Sequence, residues 1–491
     1  MPTERINFAV PIETRDGTLT KDSRAVNVVF EKNGSALNII KRPGISLFAT
    51  PTSTGTPRGL SNLNQNIISV VNTTLYSTTT SAVTTTVGAV DSLTTPMYFC
   101  KGPNEAWLFF HNSTYGYKLT SASTLSTVAL PTLGAGQQYV PGCVFLDAYC
   151  FVGITGSKVG GSANGNSIYN SAYQDPSTWN TSQNYIMFEQ TTDTLVGIAK
   201  HLNYLVAFGN VSTQFYYDAG TYTGPDSSPL AVAQSYTSEI GCANGDSIVS
   251  TENTVLWIGR STTTGRSVYM MDGVSPVRIS SSAIDKVLEK SDLSEVRAFL
   301  YKFTGHTCYI LTLHDIDVTL GYDVENKEWC QWTSSTDSTG TTETYFKPGF
   351  YTSVGLTPYV QYDTTGALYT MSTSTYIDNS TLPINTRVVT EIKDNGTTHR
   401  KFYGRLEVVG DKQSNSTMSI RHSGSDYSTW SSYRTVDLNK VRSEVYLSGS
   451  DRRRAWEFLH TSNTPLRLEC AELDYRMGEM DQEQGVGRRG Q

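Results

Sequence analysis

One kind of segment recurs along the chain: a short apolar or aromatic run, a polar turn, and a second run of the same kind. Clear copies begin at Asn66, Glu105, Asp147, Leu202, Asn253 and Gly305, and a weaker copy, "TPYVQYDTTGALYTMS", begins at Thr357. Their central residues Ile67, Trp107, Tyr149, Tyr204, Leu256 and Tyr309 are separated by 40, 42, 55, 52 and 53 residues. These intervals bracket the roughly 40–50 residues of a four-stranded propeller blade. The sequence therefore predicts an all-β fold, a β-propeller of about six blades.

The stretch "GNVSTQFYYDAG" shows how one blade is built. Gly209-Asn210 is a hairpin signal between two short strands, and Asp218-Ala219-Gly220 ends the second strand. Phe215, Tyr216 and Tyr217 stand side by side on that strand. We expect them to pack between blades, and the alternative is a platform on which a ligand stacks.

One short helical excursion interrupts the strands. "ISSSAIDKVLEKSDL" has a serine run suited to an N-cap, followed by Ile284, Val287 and Leu288 at helical spacing. Ser291 or Asp292 is a second capping candidate, before Val296 and Phe299. We expect a helix here, with a second short turn after it.

The turn signals divide the chain into four parts. The predicted parts are N-terminal strands or a closing segment at 1–57, the β-propeller at 58–384, a C-terminal β-sandwich-like domain at 385–477 and a flexible tail at 478–491. The C-terminal part alternates strands and turns at the spacing of a sandwich, and the tail is polar and rich in glycine. The first part is expected to give the propeller an outer or closing strand.

Charge is distributed unevenly. Residues 1–384 hold 21 Lys and Arg against 30 Asp and Glu, whereas residues 385–477 hold 15 against 12. Gripping nucleic acid requires dense cationic contacts with phosphates, so the long acidic part is unsuited to it. A weakly acidic surface is better suited to letting an anionic polymer pass without sticking.

The cysteines predict a chain made in a reducing compartment. The seven residues are Cys100, Cys143, Cys150, Cys242, Cys308, Cys330 and Cys470. None forms C-x-x-C, and most stand beside aromatic or aliphatic residues, so we expect buried free thiols. The first residues, "MPTERINFAV", lack the apolar region of a secretion signal.

No residue set in the sequence predicts catalysis, a cofactor or a bound metal. The seven histidines are scattered without the i,i+4 spacing of a zinc helix, and we expect them to be exposed or singly hydrogen-bonded. His314-Asp315-Ile316-Asp317 fits either a polar hairpin tip, which we favour, or a metal site. Asp175 and Asp426 lie in stretches that resemble the Asp box of sialidase propellers, but both lack its central glycine.

The densest positive run is Arg452-Arg453-Arg454, with Trp456 beyond it. Arginine beside an aromatic residue is typical of interfaces. On a strand, Arg452 and Arg454 would share one face and Arg453 the other. We predict that these four residues form an inter-subunit or inter-protein contact; a solvated edge strand and a direct DNA contact are the alternatives.

Several stretches resemble the tail hub or nozzle proteins of short-tailed bacteriophages (podoviruses), also called packaged-DNA stabilisation proteins. They are "NGSALNIIKRPGI" near the start, "SIYNSAYQDPSTW" with "LVGIAKHLNYLVAFGNVSTQFYYDAG", the run "IGCANGDSIVSTENTVLWIGRSTTTGRSVYMMDGVSPVRISSSAI", and "DRRRAWEFLHTSNTPLRLECAELDYRMG". Together they span about residues 25–477.

The resemblance implies a structural protein of the virion tail, made in the host cytoplasm, and not an enzyme. In that family several copies, typically six, form a ring-shaped tube below the portal and its adaptor. The tube retains packaged DNA, carries its exit channel and bears fibres or a tail tip. The rival interpretation is a propeller that binds or cleaves glycans, which would need paired carboxylates about 5–10 Å apart in a cleft.

Overall fold

The computed structural model describes residues 3–34, 36–180, 182–189, 192–220, 228–251, 253–446 and 448–478. The chain forms two compact units. The propeller unit comprises Gly44–Lys327 and Glu343–Thr375, and the three-segment unit comprises Met1–Pro43, Glu328–Thr342 and Tyr376–Gln491. Apart from Gly478, the predicted tail at 478–491 lies outside the described residues. No helix of the described part has the length and apolar character needed to cross a membrane.

The strands in the described part of the propeller unit form seven antiparallel groups, which we number as blades in chain order; six are separate sheets, and the three strands of blade 6 belong to a larger sheet. Their strands are Pro57–Leu63, Asn66–Val71, Thr74–Thr78 and Thr84–Ala89 in blade 1; Tyr98–Lys101, Trp107–His111, Gly116–Thr120 and Leu125–Val128 in blade 2; Gln138–Tyr139, Val144–Leu146, Tyr149–Thr155, Ser167–Asn170 and Tyr185–Met187 in blade 3; Leu195–His201, Tyr204–Gly209, Thr213–Asp218 and Leu230–Val232 in blade 4; Gly241–Cys242, Val249–Ser250, Val255–Arg260, Ser267–Asp272 and Ser275–Arg278 in blade 5; Val296–Phe303, His306–Leu313 and Val318–Asp323 in blade 6; and Pro348–Val354, Thr357–Tyr362, Leu368–Ser372 and Gly44–Ala49 in blade 7. The short strand Glu343–Tyr345 also belongs to this unit.

The seven blades close into a ring. The innermost strand of each blade contacts that of the next, and Pro348–Val354 of blade 7 contacts Pro57–Leu63 of blade 1. The ring is fastened within blade 7, where Gly44–Ala49 pairs antiparallel with Leu368–Ser372 from the far end of the unit. The all-β propeller predicted from the repeats is therefore confirmed.

The blade count in the described residues is seven, against the six or so expected. The central residues of the six clear copies lie one in each of blades 1 to 6, in the second strand of blades 1, 2, 4 and 6 and in the third strand of blades 3 and 5. The weaker copy from Thr357 forms the seventh blade. It was difficult to recognise because its outermost strand, Gly44–Ala49, comes from more than 300 residues earlier in the chain.

Apolar cores lie between adjacent blades. Phe215 is fully buried between blades 4 and 5, and Tyr216 is fully buried between blades 3 and 4. Tyr217, on the same strand, is 42% exposed. Alternation along a strand sends neighbouring side chains to opposite faces. Inter-blade packing is thus confirmed for Phe215 and Tyr216, and Tyr217 is the member of the trio that lies at the surface.

An acidic side chain from another loop closes the Gly209–Ser212 turn of blade 4. The carboxylate of Asp193 accepts hydrogen bonds from the backbone N–H groups of Asn210, Val211 and Ser212 at 2.8–3.0 Å. A Cβ at Gly209 would lie 2.2 Å from Asp193 Oδ2, so this contact leaves no room for a side chain. The turn was predicted from the sequence, and the contribution of Asp193 was not.

The predicted helix is present at Ser282–Lys290. Ser281 caps it by accepting a hydrogen bond from the Ile284 N–H, and Ile284, Val287 and Leu288 are buried. In the short turn expected after it, Ser291 and Asp292 accept hydrogen bonds from the Leu293 and Ser294 N–H groups, and Val296 and Phe299 beyond it lie on the strand Val296–Phe303 of blade 6. The strand prevails because pairing with His306–Leu313 satisfies its backbone groups.

The described part of the three-segment unit contains two larger sheets. The first has the order Val28–Asn33, Ala36–Lys41, Arg467–Met477, Lys401–Gly410 and Ser443–Val445, with Thr3–Asn7 beside Arg467–Met477 and Ser450–Asp451 beside Lys401–Gly410; the second has the order Glu328–Ser335, Arg24–Val26, Thr386–Val389, Ala455–His460, Thr417–Ser423 and Arg434–Asp437; Ile377–Asp378 and Leu382–Pro383 form a separate pair. Side chains of the two larger sheets meet, as where the rings of Tyr403 and Trp456 lie 6.1 Å apart. This arrangement matches the predicted sandwich-like fold.

The two units have bounds that differ from the four predicted parts. The predicted segment 1–57 is divided, because its first 43 residues join the C-terminal strands and the strand Gly44–Ala49 joins blade 7. Glu328–Thr342, placed inside the predicted propeller, also belongs to the three-segment unit. Strand pairing between residues far apart in the chain sets these bounds, and no local signal marks them.

Candidate functional site

The arginine run Arg452-Arg453-Arg454 lies between two strands and not within one. Ser450–Asp451 ends immediately before it and Ala455–His460 begins immediately after it. Arg452 and Arg453 are exposed, whereas Arg454 is 2% exposed. The prediction that Arg452 and Arg454 share the face of a strand is therefore wrong, because the chain bends before Ala455.

Arg454 is held in the interior of the three-segment unit by charge, hydrogen bonds and aromatic rings. Its Nε donates to Asp451 Oδ2 at 2.7 Å and its Nη1 donates to the Ser448 carbonyl at 2.7 Å. Its guanidinium carbon lies 3.9 Å from the ring centre of Tyr403 and 5.1 Å from that of Trp456. Burial lowers the pKa of Arg454, and Asp451 opposes that shift by stabilising the charge.

Trp456 is buried as well, at 4% exposure. Its backbone pairs with Thr390, with the Trp456 N–H donating to the Thr390 hydroxyl at 2.9 Å. Its ring faces Tyr403 and His422, whose pKa burial lowers to about 4. Arg454 and Trp456 therefore serve the packing of their own unit, and a charge-reversing change at Arg454 would damage the monomer.

Arg452 and Arg453 are the part of the predicted contact that a partner could reach. The pKa of Asp426 is lowered chiefly by a hydrogen bond from Arg15 and also by the charge of Arg453, which places Arg453 near that exposed pair. Arg15 Nη1 lies 2.6 Å from Asp426 Oδ2 and its Nε lies 2.6 Å from Asp22 Oδ1. Arg452 and Arg453 are therefore exposed cations, with Arg453 near the ion-paired Arg15 and Asp426, and their binding of another chain stays a prediction.

The propeller unit contains a central cavity of about 540 Å³ that is open to solvent. Every blade contributes to its lining, through Leu60, Tyr98, Val144, Ile198, Asp246, Arg297 and Tyr351 among others. A second cavity of about 610 Å³ shares Leu60 and Tyr351 with the first and extends along blades 5, 6 and 7. Cavities at the axis are what closure of a ring of blades produces.

A polar cluster inside the first cavity joins blades 2, 5 and 6. The Tyr98 hydroxyl donates to Asp246 Oδ1 at 2.5 Å, and Arg297 Nη1 lies 3.8 Å from Asp246 Oδ2. Burial raises the pKa of the Asp246 carboxyl, and burial followed by the charge of Asp246 raises that of the Tyr98 hydroxyl. Sequence reasoning missed this cluster because its members are far apart in the chain and carry no motif.

Other candidate groups are occupied by structural hydrogen bonds. In the His314–Ile316 turn, Asp315 accepts from the Ser291 hydroxyl, and Asp317 accepts from the Thr344 hydroxyl at 2.5 Å. These bonds fit the polar hairpin tip better than the metal site. Among the residues that the structure describes, no group of three or more His, Cys, Asp or Glu side chains is arranged to hold a metal ion.

The expectation that the histidines are exposed or singly hydrogen-bonded is wrong for His111 and His460, which have two partners each, whereas His201 has one recorded hydrogen bond, to the Gly273 carbonyl. His111, His201 and His460 are fully buried. The two ring nitrogens of His111 each lie 2.9 Å from a backbone carbonyl, of Asn112 and of Gly142, and burial lowers its pKa. Short polar-looking stretches concealed the burial, because it arises from strands that pack against these histidines within their own units.

Comparison with known proteins places this geometry in a family. A family model described as "Bacteriophage P22 Gp10, beta-propeller" matches residues 24–355, more than half of the chain. A search of curated proteins found no match.

Solved structures also resemble the chain. A streptogramin B lyase has a TM-score of 0.43 at 9% identity, over 67% of this chain and 98% of the lyase. The propeller domain of Nup133 from Vanderwaltozyma polyspora has a TM-score of 0.41 at 8% identity, over 70% and 99%. The WD40 domain of Pan2 from Neurospora crassa has 0.40 at 9%, over 67% and 96%. These scores are too low to carry any argument about function.

Proposed function

The chain belongs to the phage tail hub family of the bacteriophage P22 Gp10 β-propeller, and on that premise we propose that it builds a ring-shaped tube in the tail of a short-tailed phage. Family membership makes it a structural protein of the phage tail and places it in the virion. The ring, its partners and its part in DNA retention and ejection are the proposal. The single observation that carries it is the family match over residues 24–355.

In the proposed assembly, identical copies, six in number, surround a channel below the portal adaptor. The ring retains packaged DNA and provides its exit route. Fibres or a tail-tip protein attach to its outer parts. In a closed cyclic ring, a patch on one subunit contacts a different patch on the next subunit. Exposed charges on these two patches therefore help to set the geometry of the ring.

Charge supports the role of a conduit. Residues 1–384 carry nine more acidic than basic residues, from 21 Lys and Arg against 30 Asp and Glu. Proteins that grip DNA neutralise phosphates with many cations, which makes the grip strong and dependent on salt. An acidic subunit does not hold DNA in this way, so we propose that double-stranded DNA passes along it without specific binding.

We also propose that the protein acts without catalysis. The rival function, a propeller that binds or cleaves glycans, requires a pair of carboxylates free to reach a sugar. In the central cavity, Asp246 is already engaged by the Tyr98 hydroxyl. No specific observation on the described residues favours the glycan function.

The test of the ring is the mass of the purified protein in solution, measured by native mass spectrometry with and without the portal adaptor. A ring has a mass near six times 54.0 kDa, alone or on the adaptor. A monomer under both conditions contradicts the proposal and directs attention to glycan binding, for which a glycan array is the next measurement.

A charge-reversal variant then tests the predicted contact. Arg452→Glu with Arg453→Glu changes two exposed side chains, so the monomer should stay folded while ring or adaptor assembly weakens at least about tenfold. The matched control is Lys412→Glu with Lys440→Glu, an equal change of charge at exposed positions of the same unit. Equal assembly by both variants would remove Arg452 and Arg453 from the interface.

A further inference from the structure

Three cysteine side chains from two blades of the propeller lie together. Cys100 is on the inner strand Tyr98–Lys101 of blade 2, Cys143 immediately precedes the strand Val144–Leu146 of blade 3, and Cys150 is on the strand Tyr149–Thr155 of blade 3. The Sγ atoms of Cys100 and Cys143 are 2.9 Å apart, and those of Cys100 and Cys150 are 3.8 Å apart. The shorter distance exceeds a disulfide bond, about 2.0 Å, by less than about 1 Å.

Cys100 and Cys143 are placed so that oxidation to a disulfide requires little movement. All three cysteines belong to the apolar core between blades 2 and 3, with Trp107 and Val152 among its other members. Both backbones are held there, because Tyr98–Lys101 and Val144–Leu146 each pair with a neighbouring strand in register. Formation of the disulfide bond therefore requires rotation of the two side chains and does not require rearrangement of a loop.

The same two residues are accessible to small molecules. Cys100 and Cys143 both line the central cavity of about 540 Å³, whereas Cys150 is not among its lining residues. Cys143 is half-buried and Cys100 is 8% exposed. A small oxidant that enters the cavity therefore meets Cys143 first, with Cys100 directly behind it.

We propose that Cys100 and Cys143 are an oxidisable pair that closes into a disulfide and joins blade 2 to blade 3 when the protein meets a small two-electron oxidant. Each thiol loses its proton and together they lose two electrons as the S–S bond forms. The oxidant, a diazenedicarboxamide such as diamide, takes up both protons and both electrons and becomes the hydrazine. This bond closes a loop from residue 100 to residue 143 and so restricts the unfolded chain.

The environment of the pair makes the reaction slow at neutral pH. Burial raises the pKa of the Cys143 thiol, and the thiolate is the form that attacks. The rate of closure should therefore rise as pH rises above 7.

The experiment treats the full-length protein with diamide under native conditions, quenches it with acid and alkylates the remaining thiols. Combined digestion with trypsin and Asp-N puts the three cysteines on separate peptides, 91–101, 119–146 and 147–158. The expected result is a link between peptides 91–101 and 119–146, reversed by a reductant. Alkylation of all three peptides, or a link that involves 147–158 instead, overturns the proposal.

Single variants exclude an accidental link. Cys143→Ser should abolish the link, and Cys150→Ser should retain it. Cys242→Ser is the matched control, because Cys242 is a buried thiol whose recorded contacts are the Asn244 carbonyl and the Ser247 hydroxyl. Oxidation should raise the Tm of the wild type and of Cys242→Ser by a few degrees and leave that of Cys143→Ser unchanged. Equal shifts in all three proteins would contradict a bond at Cys143.

Discussion

The two units of this protein are stabilised in different ways. In the propeller unit, nearly every strand pairs with its neighbour in the chain, and the cores between blades are apolar and aromatic. In the three-segment unit, strands from opposite ends of the chain pair, as Ala36–Lys41 does with Arg467–Met477. Its interior also holds charged groups, including Arg42, which is fully buried beside Asp378 at 2% exposure.

The difference between the two units shows where the local sequence is sufficient to predict the structure. A blade can be recognised from its own residues because hairpins join strands that follow one another. A sheet assembled from three distant segments offers no such pattern, and a buried ion pair depends on a partner hundreds of residues away. Among the described residues of the propeller unit, Arg58 and Asp91 form a comparable pair, and these partners are only 33 residues apart.

The largest effect should follow from breaking the buried ion pair of the three-segment unit. Arg42 Nη1 donates to Asp378 Oδ1 at 3.1 Å, its Nε donates to Asn27 Oδ1, and its Nη2 donates to the Thr333 carbonyl. Asp378→Ala leaves the guanidinium buried without its counter-charge, and we expect a loss of about 3–5 kcal/mol in the free energy of unfolding. Urea unfolding measures the loss, and hydrogen exchange locates it.

The control removes both charges. Arg42→Met combined with Asp378→Leu replaces the pair by apolar side chains, and it should recover most of the stability that Asp378→Ala loses. If the double variant is as unstable as the single one, packing and not charge dominates at this position. The contrast between the two units would then be weaker than the structure indicates.

In the propeller unit, the corresponding test of stability concerns apolar packing. Two neighbouring tyrosines on one strand of blade 4, one buried and one exposed, provide a matched pair of variants. Tyr216 is fully buried, with its hydroxyl donating to Gln214 Oε1 at 2.7 Å, whereas Tyr217 is 42% exposed. Tyr216→Ala should cost about 3–5 kcal/mol and Tyr217→Ala less than about 1 kcal/mol, both measured by urea unfolding. Similar losses for the two variants would show that Tyr217 is covered in the protein as it exists in solution.

A smaller effect is expected from pH, through His460 of the three-segment unit. Burial lowers the pKa of His460 to about 3, and the charge of Lys41 adds to the shift. The unfolded chain binds a proton near pH 6.5, so below that pH it takes up more protons than the folded protein, and stability falls as pH falls toward 3. The slope from this one residue is at most about 1.4 kcal/mol per pH unit.

Urea unfolding at pH 7 and pH 5 tests this slope. His460→Gln removes the titrating group and retains a side chain able to bond the Ser416 hydroxyl, 2.9 Å from His460 Nε2. The variant should lose less stability between the two pH values than the wild type does. An unchanged slope would assign the acid sensitivity to other groups, of which His422 is the first to examine.

The smallest effect is expected at the surface of the three-segment unit. Arg15 is 55% exposed and pairs with Asp426, itself 39% exposed. Water and salt screen such pairs, so Asp426→Asn, which leaves the contact of Arg15 with Asp22 in place, should change the free energy of unfolding by less than about 1 kcal/mol. A larger loss would show that charge stabilises this unit at its surface as well as in its interior.

The sequence by itself determined the repeating part of this protein. Six copies of a strand–turn–strand pattern predicted a propeller, Ser281 and the Ile284–Leu288 spacing predicted its helix, and the flanking motifs indicated the phage tail family. These features are local, and each can be recognised because hydrogen bonding and alternation act between residues near in the chain. The seventh blade escaped the count because one of its strands is not local.

Tertiary structure alone decided the rest. It divided the arginine run into two exposed residues and the buried Arg454, which Tyr403 and Asp451 hold from other strands. It also brought Cys100 within 2.9 Å of Cys143 and placed Asp246 at the axis of the propeller. The exposure of a side chain and the identity of its neighbours depend on which distant strands pack against it, and this information is spread over the whole chain.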